Sequence, residues 1–225
     1  MTFRHWLIRS LHPAGPLNDL TAVRPVSEFF GIERGQPIDR YYIEAFMGQH
    51  RHRIKGDVLE VAGSEYTCRF GDPAARPFEL YTTPNARANA IVGDLTRSDT
   101  LPTSRFDCFV CTQTFNFIYE LEAAIQGAAK VLADGGTLLA TVGGVSQISR
   151  YDMDRWGDFW RLSSTACERL FARDFAEVKV TTYGNVTAAV ALLRGFAVED
   201  LPNCSVLDEH DPNYQVLIGI VARKA

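Results

Sequence analysis

Short apolar runs alternate with longer amphipathic segments along most of the chain. The apolar runs predict seven strands, at residues 57–62, 78–81, 90–92, 106–112, 137–142, 178–182 and 214–223. The longer segments predict helices at 38–53, 121–132 and 186–196 and, in parts, at 151–172. Strands that alternate with helices favour right-handed crossovers and a mostly parallel sheet. The pattern therefore predicts an α/β fold in which helices cover both faces of the sheet.

Turn-forming residues mark several boundaries between these elements. Asp134-Gly135-Gly136 predicts a turn after the helix at 121–132. Ser163 or Ser164 is a candidate N-cap for a helix that includes Cys167–Phe171. Because no clear break separates a second domain, we predict that residues 38–225 form one domain.

Residues 1–37 differ from the rest of the chain, since they contain four prolines and several glycines. We predict an irregular N-terminal extension with a short helix near Val26–Phe30. The aromatic residues Trp6, Phe29 and Phe30 suggest that this extension packs against the domain. The alternative is that it forms a lid over a pocket.

The composition is that of a globular protein with an acidic balance. The chain has 225 residues, of which 46% are hydrophobic and 22% are charged, and its net charge is −4. This balance, without a block of Lys and Arg, argues against a nucleic-acid partner. No apolar run reaches the roughly 20 residues that span a bilayer. We expect a cytoplasmic protein with no signal peptide and no membrane partner, which binds a neutral or cationic small molecule.

Five scattered cysteines do not have the pattern of a disulfide framework. Cys108 and Cys111 lie three residues apart in a predicted strand, so their side chains should point to opposite faces. We interpret them as small buried residues rather than as a redox pair or metal ligands. No cluster of His, Cys and Asp has the spacing of a metal site, and we expect no metal.

The stretch around Glu60 has the most specific functional pattern. An apolar strand ends in Glu60, and the small residues Ala62, Gly63 and Ser64 follow it. Small residues at such a strand end let the backbone approach a ligand, because a Cβ atom would occupy ligand space. The acid-x-small-x-small pattern resembles motif I of the class I S-adenosylmethionine (SAM) methyltransferases, whose usual form is acid-x-Gly-x-Gly.

Two further segments strengthen this resemblance. Residues 106–118 resemble the fourth strand of that family with its active-site loop, and 128–139 resemble the following helix, Gly-Gly turn and fifth strand. The closing strands at 178–182 and 214–223 are similar to the antiparallel pair that ends the family's sheet. The resemblance covers residues 38–225 and implies a Rossmann-like sheet of seven strands, mostly parallel.

The resemblance implies SAM as the cofactor. Glu60 would order the turn or meet the methionine end, and Asp94 would lie near the adenine. The implied cofactor residues are Glu60, Ala62, Gly63, Ser64, Asp94, Leu95, Thr112 and Gln113. The acid that should bind the ribose hydroxyls is missing, since Tyr81 and Thr82 stand at the end of the second strand. Glu79 is available only if that strand ends two residues early. The use of SAM therefore stays open at the level of sequence.

Residues 37–44 and 146–161 resemble a bacterial subgroup of this family that is found near glycosyltransferase and secondary-metabolite genes. The second segment mixes aromatic and charged residues where the fold usually builds its substrate pocket, which suits a polar ligand. An amphipathic helix with a solvated face is the alternative. The substrate-binding candidates are Asp39, Arg40, Tyr41, Tyr42, Arg150, Trp156 and Trp160. The catalytic candidates are Tyr151, Asp152 and His210.

Two functions follow from these features. The first is a SAM-dependent methyltransferase that acts on a small molecule, such as a sugar or an intermediate of secondary-metabolite or antibiotic biosynthesis. The second is a SAM-independent enzyme on the same fold that catalyses a cyclisation or elimination, because fold does not dictate chemistry. A non-catalytic partner subunit is less favoured, since such a protein has no need for a polar and aromatic pocket segment.

Overall fold

Seven strands form one sheet in the computed structural model, which describes residues 2–17, 19 and 21–225. The strands are β1 Asp57–Val61, β2 Arg76–Tyr81, β3 Ala90–Val92, β4 Phe106–Thr112, β5 Leu132–Gly143, β6 Glu177–Tyr183 and β7 Leu217–Arg223. Their order across the sheet is β3-β2-β1-β4-β5-β7-β6. Neighbours from β3 to β5 are parallel, and β7 is antiparallel to both β5 and β6. The predicted mostly parallel α/β sheet is confirmed.

Seven helices accompany the sheet in the described parts of the chain. They are α1 Phe3–Leu11, α2 Ile38–His50, α3 Glu65–Phe70, α4 Leu121–Val131, α5 Arg150–Met153, α6 Ser164–Phe171 and α7 Val186–Leu193. The predicted cap of α6 is confirmed, because the Ser163 hydroxyl accepts a hydrogen bond from the backbone N–H of Ala166 at 3.3 Å. None of these helices is long and apolar enough to cross a membrane.

The predictions for residues 1–37 were partly wrong. The structure has a helix at Phe3–Leu11 and turns, rather than a helix, at 26–30. The α1 helix buries none of its residues, so its apolar positions do not face a core. Its first turn is capped by Thr2, whose hydroxyl accepts from the backbone N–H of His5.

Two strand boundaries differ by three residues or more from those predicted. The segment Asp134-Gly135-Gly136 lies inside β5 rather than in a turn before it. The pairing moves from Phe106 with Leu132 to Cys108 with Thr137, so these residues form a bulge in β5. Gly135 has a φ of +74°, which glycine adopts without strain. The last strand begins at Leu217 instead of 214.

The sheet separates two hydrophobic clusters, one on each face. Phe109, Cys111 and Phe171 belong to the cluster that contains α4 and α6. Cys108 and Phe46 belong to the cluster that contains α2 and α7. The opposite directions predicted for the two cysteines are therefore confirmed, and both thiols are buried and unpaired.

Residues 26–37 are bound to the segment that follows α7. The guanidinium of Arg34 is 1% exposed and donates to the two carboxylate oxygens of Asp200 at 2.7 and 3.0 Å. It also donates to the backbone carbonyl of His12 at 3.0 Å. Pro37 and Ala197 form an isolated β-bridge just before α2. This N-terminal segment is therefore held against the domain by Arg34 and Pro37 rather than by the predicted aromatic residues Trp6 and Phe29, which are exposed. It also borders the cavity described below, as the lid alternative would require.

Candidate functional site

The candidate site is a cavity of about 560 Å³ at the carboxyl ends of β1, β4 and β5. Val61, Thr112 and Gly143 are the last residues of these three strands, and all three line the cavity. The other walls come from the turn at 29–32, the first turns of α2 and the loop at 146–161. Open α/β sheets bind ligands at this edge, so the cavity lies where the fold is expected to hold one.

Glu60 holds the turn that follows β1. Its carboxylate accepts hydrogen bonds from the backbone N–H groups of Tyr66 and Thr67 at 3.0 and 2.8 Å and from the Thr67 hydroxyl at 2.7 Å. Both N–H groups lie in the first turn of α3, where no partner exists within the helix. Burial raises the pKa of Glu60, and these hydrogen bonds partly offset that rise. Glu60 therefore orders the turn, which is one of the two roles predicted for it.

The three small residues after β1 have different surroundings. Ala62 has a φ of +58°, a left-handed conformation that costs an L-residue about 1–2 kcal/mol. A Cβ atom on Gly63 would meet nothing within 4 Å, so the space beside this residue is open. Ala62 and Gly63 line the cavity. Ser64 does not, and its hydroxyl donates to Glu79 at 2.8 Å instead.

The carboxylate of Glu79 lies near the end of β2, but its oxygens are already bound. Because β2 continues to Tyr81, Glu79 lies inside the strand and is 2% exposed. It accepts hydrogen bonds from Ser64, from the Tyr81 hydroxyl at 2.7 Å and from Arg87 at 2.8 and 2.9 Å. Burial would raise the pKa of Glu79, but the hydrogen bonds from Tyr81, Ser64 and Arg87 outweigh it and lower the pKa. The oxygens that a ribose would need are therefore taken.

Asp94 and Leu95 do not line the cavity, although both are predicted cofactor residues. One oxygen of Asp94 accepts from the backbone N–H and the hydroxyl of Thr96, both at 2.8 Å. The backbone N–H of Asp94 donates to the Thr100 hydroxyl at 2.9 Å. Leu95 is buried in the core. These contacts order the turn after β3, and the structure does not bring the two residues to the cavity.

The loop after β4 brings two amide side chains to the cavity. Gln113 has a φ of +46°, which is a strained conformation for this residue type. The side-chain amide of Asn116 donates to the Gln113 carbonyl at 3.3 Å, and both residues line the cavity beside Thr112. Thr112 and Gln113 were predicted from sequence, whereas Asn116 was missed. The only feature of the sequence that points to Asn116 is its polar side chain between Phe115 and Phe117, in the predicted active-site loop.

The loop at 146–161 is folded around an acidic side chain that the sequence analysis also missed. The carboxylate of Asp158 is fully buried and accepts from both terminal nitrogens of Arg161, at 2.5 and 2.9 Å. It also accepts from the backbone N–H of Ser149 at 3.0 Å. Burial would raise the pKa of Asp158, but the contacts with Arg161 and Ser149 lower it. The spacing of Asp158 and Arg161, three residues apart, is the signal that could have identified this pair.

Two predicted catalytic residues, Tyr151 and Asp152, line the cavity on this loop. The Asp152 carboxylate accepts a hydrogen bond from the Ser149 hydroxyl at 2.6 Å. The ring of Tyr151 is covered by the guanidinium of Arg155, 3.5 Å from its centre. Tyr151 is 62% exposed, so Asp152 is the better enclosed of the two.

Three substrate-binding candidates from the same loop do not line the cavity. Arg150 is exposed, and Trp156 is 58% exposed. Trp160 donates its indole N–H to the carbonyl of Ile118 at 3.0 Å and packs against the core. The prediction was wrong for these residues because the loop is mostly irregular, with only the four residues of α5 helical. Neither a helical face nor a strand face brings them together.

The start of α2 brings only two of its four candidates to the main cavity. Asp39 and Arg40 line the main cavity, together with Ile43 on the next turn. The Tyr41 hydroxyl donates to Asp208 at 2.5 Å, and the Tyr42 hydroxyl donates to the carbonyl of Leu207 at 3.0 Å. Successive helix residues point about 100° apart, so four consecutive residues cannot share one wall. The prediction was wrong for Tyr41 and Tyr42.

His210 lies at a second cavity of about 450 Å³, which Tyr42 also lines. Its ring Nε2 is 2.8 Å from the hydroxyl of Thr182 on β6. Because this cavity shares no lining residue with the main one, His210 cannot exchange a proton with a ligand held by Asp39 and Asp152. His210, which the sequence offers as one of several candidate catalytic groups, therefore lies away from the main cavity. Within the described residues, no group of three His, Cys, Asp or Glu side chains could hold a metal ion.

Comparison with known proteins finds a partial domain match and a shared fold. Residues 58–140, from β1 into β5, match the family model described as a methyltransferase domain. The chain therefore has the fold of the class I methyltransferases, and its residues 58–140 match their domain. None of the curated protein sequences matches this methyltransferase-like chain significantly.

Solved structures share the fold of this methyltransferase-like protein at low sequence identity. A SAM-dependent methyltransferase of Thermotoga maritima, described as a possible histamine N-methyltransferase, is 15% identical with a TM-score of 0.53, over 84% of this chain and 92% of its own. The (4+2)-cyclase SpnF is 15% identical with a TM-score of 0.53, over 90% and 88%. A possible exported protein of Bordetella parapertussis is 11% identical with a TM-score of 0.55, over 98% and 79%.

The residues of this methyltransferase-like protein fit one end of SAM and not the other. The turn ordered by Glu60 and the open space beside Gly63 suit the methionine end. At the ribose end, Tyr81 ends β2 and the carboxylate of Glu79 is bound by three side chains. Asp94, which should lie near the adenine, is outside the cavity. The adenosine half of SAM therefore does not fit the residues present.

Proposed function

We propose that the protein is an enzyme that converts a polar small molecule by proton transfer, in a cyclisation or elimination, and that it does not use SAM. The observation that carries this proposal is the occupied carboxylate of Glu79, with Tyr81 after it at the end of β2. A ribose would have to displace charge-assisted hydrogen bonds, which contribute about 1.5–3 kcal/mol each. The cavity at the ends of β1, β4 and β5 remains available for a substrate.

Two carboxyl groups on different walls of the cavity support acid–base chemistry. Asp39 lies on the first turn of α2, and Asp152 lies on the loop after β5. Burial raises the pKa of Asp39, so its carboxylate is stabilised by an opposite charge on a bound ligand. In an elimination, Asp152 takes a proton from carbon, and the freed electron pair forms the double bond. The leaving group departs with the electrons of its bond and receives a proton from water.

The thermal stability of the purified protein with and without SAM and S-adenosylhomocysteine tests this proposal. A ligand at 100 times its dissociation constant adds about 2.7 kcal/mol to the free energy of unfolding. We expect no shift with millimolar SAM. The matched control is Gly63→Val, which fills the open space beside the turn. A clear upward shift in the wild type that disappears in Gly63→Val would overturn the proposal, because SAM would then bind at the family's usual place.

SAM-dependent methyl transfer to a sugar or secondary-metabolite intermediate is the second candidate function. The match of residues 58–140 to the methyltransferase domain and the turn ordered by Glu60 favour it. SAM supplies an electrophilic methyl group when it is bound. In this case Asp152 removes the proton of the accepting hydroxyl or amine. A SAM-dependent stability shift would select this candidate, and the search would turn to methyl acceptors.

A further inference from the structure

The main cavity contains a buried polar atom that has no partner in the part of the chain that the structure describes. Asn116 is 4% exposed and lines the cavity. Its side-chain N–H donates to Gln113 at 3.3 Å, but its carbonyl oxygen Oδ1 accepts no hydrogen bond from any described residue. An unpaired buried acceptor costs about 1–3 kcal/mol. A ligand that donates a hydrogen bond to this oxygen would remove that cost.

The surroundings of Asn116 hold its side chain at the cavity wall. Its backbone carbonyl accepts from the N–H groups of Phe159 and Trp160 at 2.9 and 3.2 Å. A Cβ atom on Gly143 would lie 3.1 Å from the side-chain nitrogen of Asn116, so a larger residue at this position would crowd the amide group. The strained backbone of Gln113 positions the carbonyl to which Asn116 donates. The amide pair is therefore fixed by two strands and a loop rather than left on a mobile surface.

The walls around this amide pair carry more negative than positive charge. Five carboxyl groups line the cavity, on Asp39, Glu60, Glu65, Asp152 and Asp158, against two guanidinium groups. No lysine or histidine lies among the described residues that line it.

Both guanidinium groups are already paired with carboxylates. Arg161 is bound to Asp158 at 2.5 Å, and Arg40 lies 3.6 Å from Glu65. Glu60 is bound to the start of α3. Among the described residues, no Arg or Lys lies within salt-bridge distance of Asp39 or Asp152, and each of these two meets the cavity from a different wall.

We propose that the cavity binds a small molecule that has an ammonium group and hydroxyl groups, with Asn116 Oδ1 as an acceptor and Asp39 and Asp152 as the countercharges. This ligand class rests on the proposed function as a small-molecule enzyme. Ammonium and hydroxyl groups supply the donors that these oxygens need. A cation would also favour the ionised form of Asp39, because it brings an opposite charge to a buried carboxyl group. An anionic substrate would meet unpaired carboxylates on both walls.

Three matched hexoses test the proposal by saturation-transfer NMR and calorimetric titration. Glucosamine is the cationic probe, glucose the neutral probe and glucuronate the anionic probe. We expect glucosamine to bind about tenfold more tightly than glucose, since hydrogen bonds to a charged group are the stronger ones. Glucuronate should not bind. Equal binding of glucosamine and glucose, preferred binding of glucuronate, or no binding of any probe would overturn the proposal.

Variants locate the binding site in the cavity. Asn116→Leu and Asp39→Asn should each weaken glucosamine about tenfold, whereas Asn85→Leu, at an exposed position outside the cavity, should not. If Asn116→Leu does not fold, Asn116→Asp keeps an acceptor and adds a charge, so glucosamine should bind at least as tightly as to the wild type. Unchanged glucosamine affinity in both Asn116→Leu and Asp39→Asn, or weaker binding in a folded Asn116→Asp, would contradict the assignment.

A SAM titration separates this proposal from the proposed function. Displacement of glucosamine by SAM would contradict the proposal that the enzyme does not use SAM, but it would still support the site for an ammonium group. Glucosamine binding that SAM does not affect supports both.

Discussion

The carboxyl edge of the sheet has two halves, of which one borders an open cavity and the other is closed by side-chain contacts. The open half, at the ends of β1, β4 and β5, surrounds the main cavity. The closed half, at the ends of β2 and β3, has the bound carboxylate of Glu79 and the turn ordered by Asp94. Both halves are built from the same kind of strand end, so the difference comes from a few side chains. A few side chains on a methyltransferase fold therefore decide which strand ends border an open cavity.

The largest loss of folding stability is expected in the open half, from the substitution Asp158→Ala. This change removes a fully buried carboxylate from Arg161 and leaves the N–H of Ser149 without its acceptor. Breaking a buried ion pair costs about 3–5 kcal/mol, and we expect about 3 kcal/mol because Arg161 also donates to backbone carbonyls. Urea unfolding measures the loss. Asp154→Ala, at an exposed position of the same loop, is the control and should change stability by less than about 0.5 kcal/mol. Equal losses in the two variants would show that the loop is not organised by Asp158.

A smaller loss is expected in the closed half, from Glu79→Gln. The variant loses charge-assisted hydrogen bonds from Tyr81, Ser64 and Arg87, which should cost about 2 kcal/mol at neutral pH. The pKa of Glu79 is lowered in the fold, so its contribution is complete above its ordinary value of 4.5 and is lost as the pH falls through the lowered pKa. Unfolding free energies of both proteins between pH 7 and pH 3 measure this. A difference between them that stays constant with pH would mean that the charge of Glu79 does not stabilise the closed half.

The smallest expected change is a gain in folding stability, and it concerns Asp39 in the open half. Burial raises the pKa of Asp39, so ionising it in the fold is unfavourable above the raised pKa. Asp39→Asn should therefore stabilise the protein by about 1 kcal/mol at neutral pH, and the gain should vanish below the ordinary pKa of 3.8, where both states are protonated. Thermal melts at pH 7 and in acid measure it. Loss of stability at pH 7 would show that the Asp39 carboxylate is a structural contact instead of a group kept for a ligand.

The sheet could be predicted from the sequence because each strand buries a short apolar run. All seven predicted strands are present, with boundaries that differ by a few residues. The α1 helix was missed for the same reason, since it buries no residue and leaves no core-facing pattern among the prolines that follow. The bulge at Asp134–Gly136 was missed because glycines signal a turn equally well outside a strand and inside one.

The candidate site could be predicted only where the fold itself fixes a position. Gly63, Thr112 and Gln113 stand at or just after strand ends, and they line the cavity as the family pattern implies. Asn116 and Asp158 depend on how irregular loops fold, and no periodicity predicts that. Phe29, Phe30 and Ile32 also line the cavity, in a turn far away along the chain. Their position is determined by the tertiary contacts that residues 26–37 make with the segment after α7.

The ion pair of Arg34 and Asp200 limits how far the protein can be shortened. A fragment that starts at residue 38 would lack Arg34 and leave the carboxylate of Asp200, which is 4% exposed in the intact chain, without this partner. A charge that has lost its buried partner costs about 3–5 kcal/mol, a large part of the stability of an ordinary domain. The same cut would remove the cavity wall at residues 29–32. The shortest useful fragment of this protein therefore retains the turn that contains Arg34, even though the family pattern begins after it.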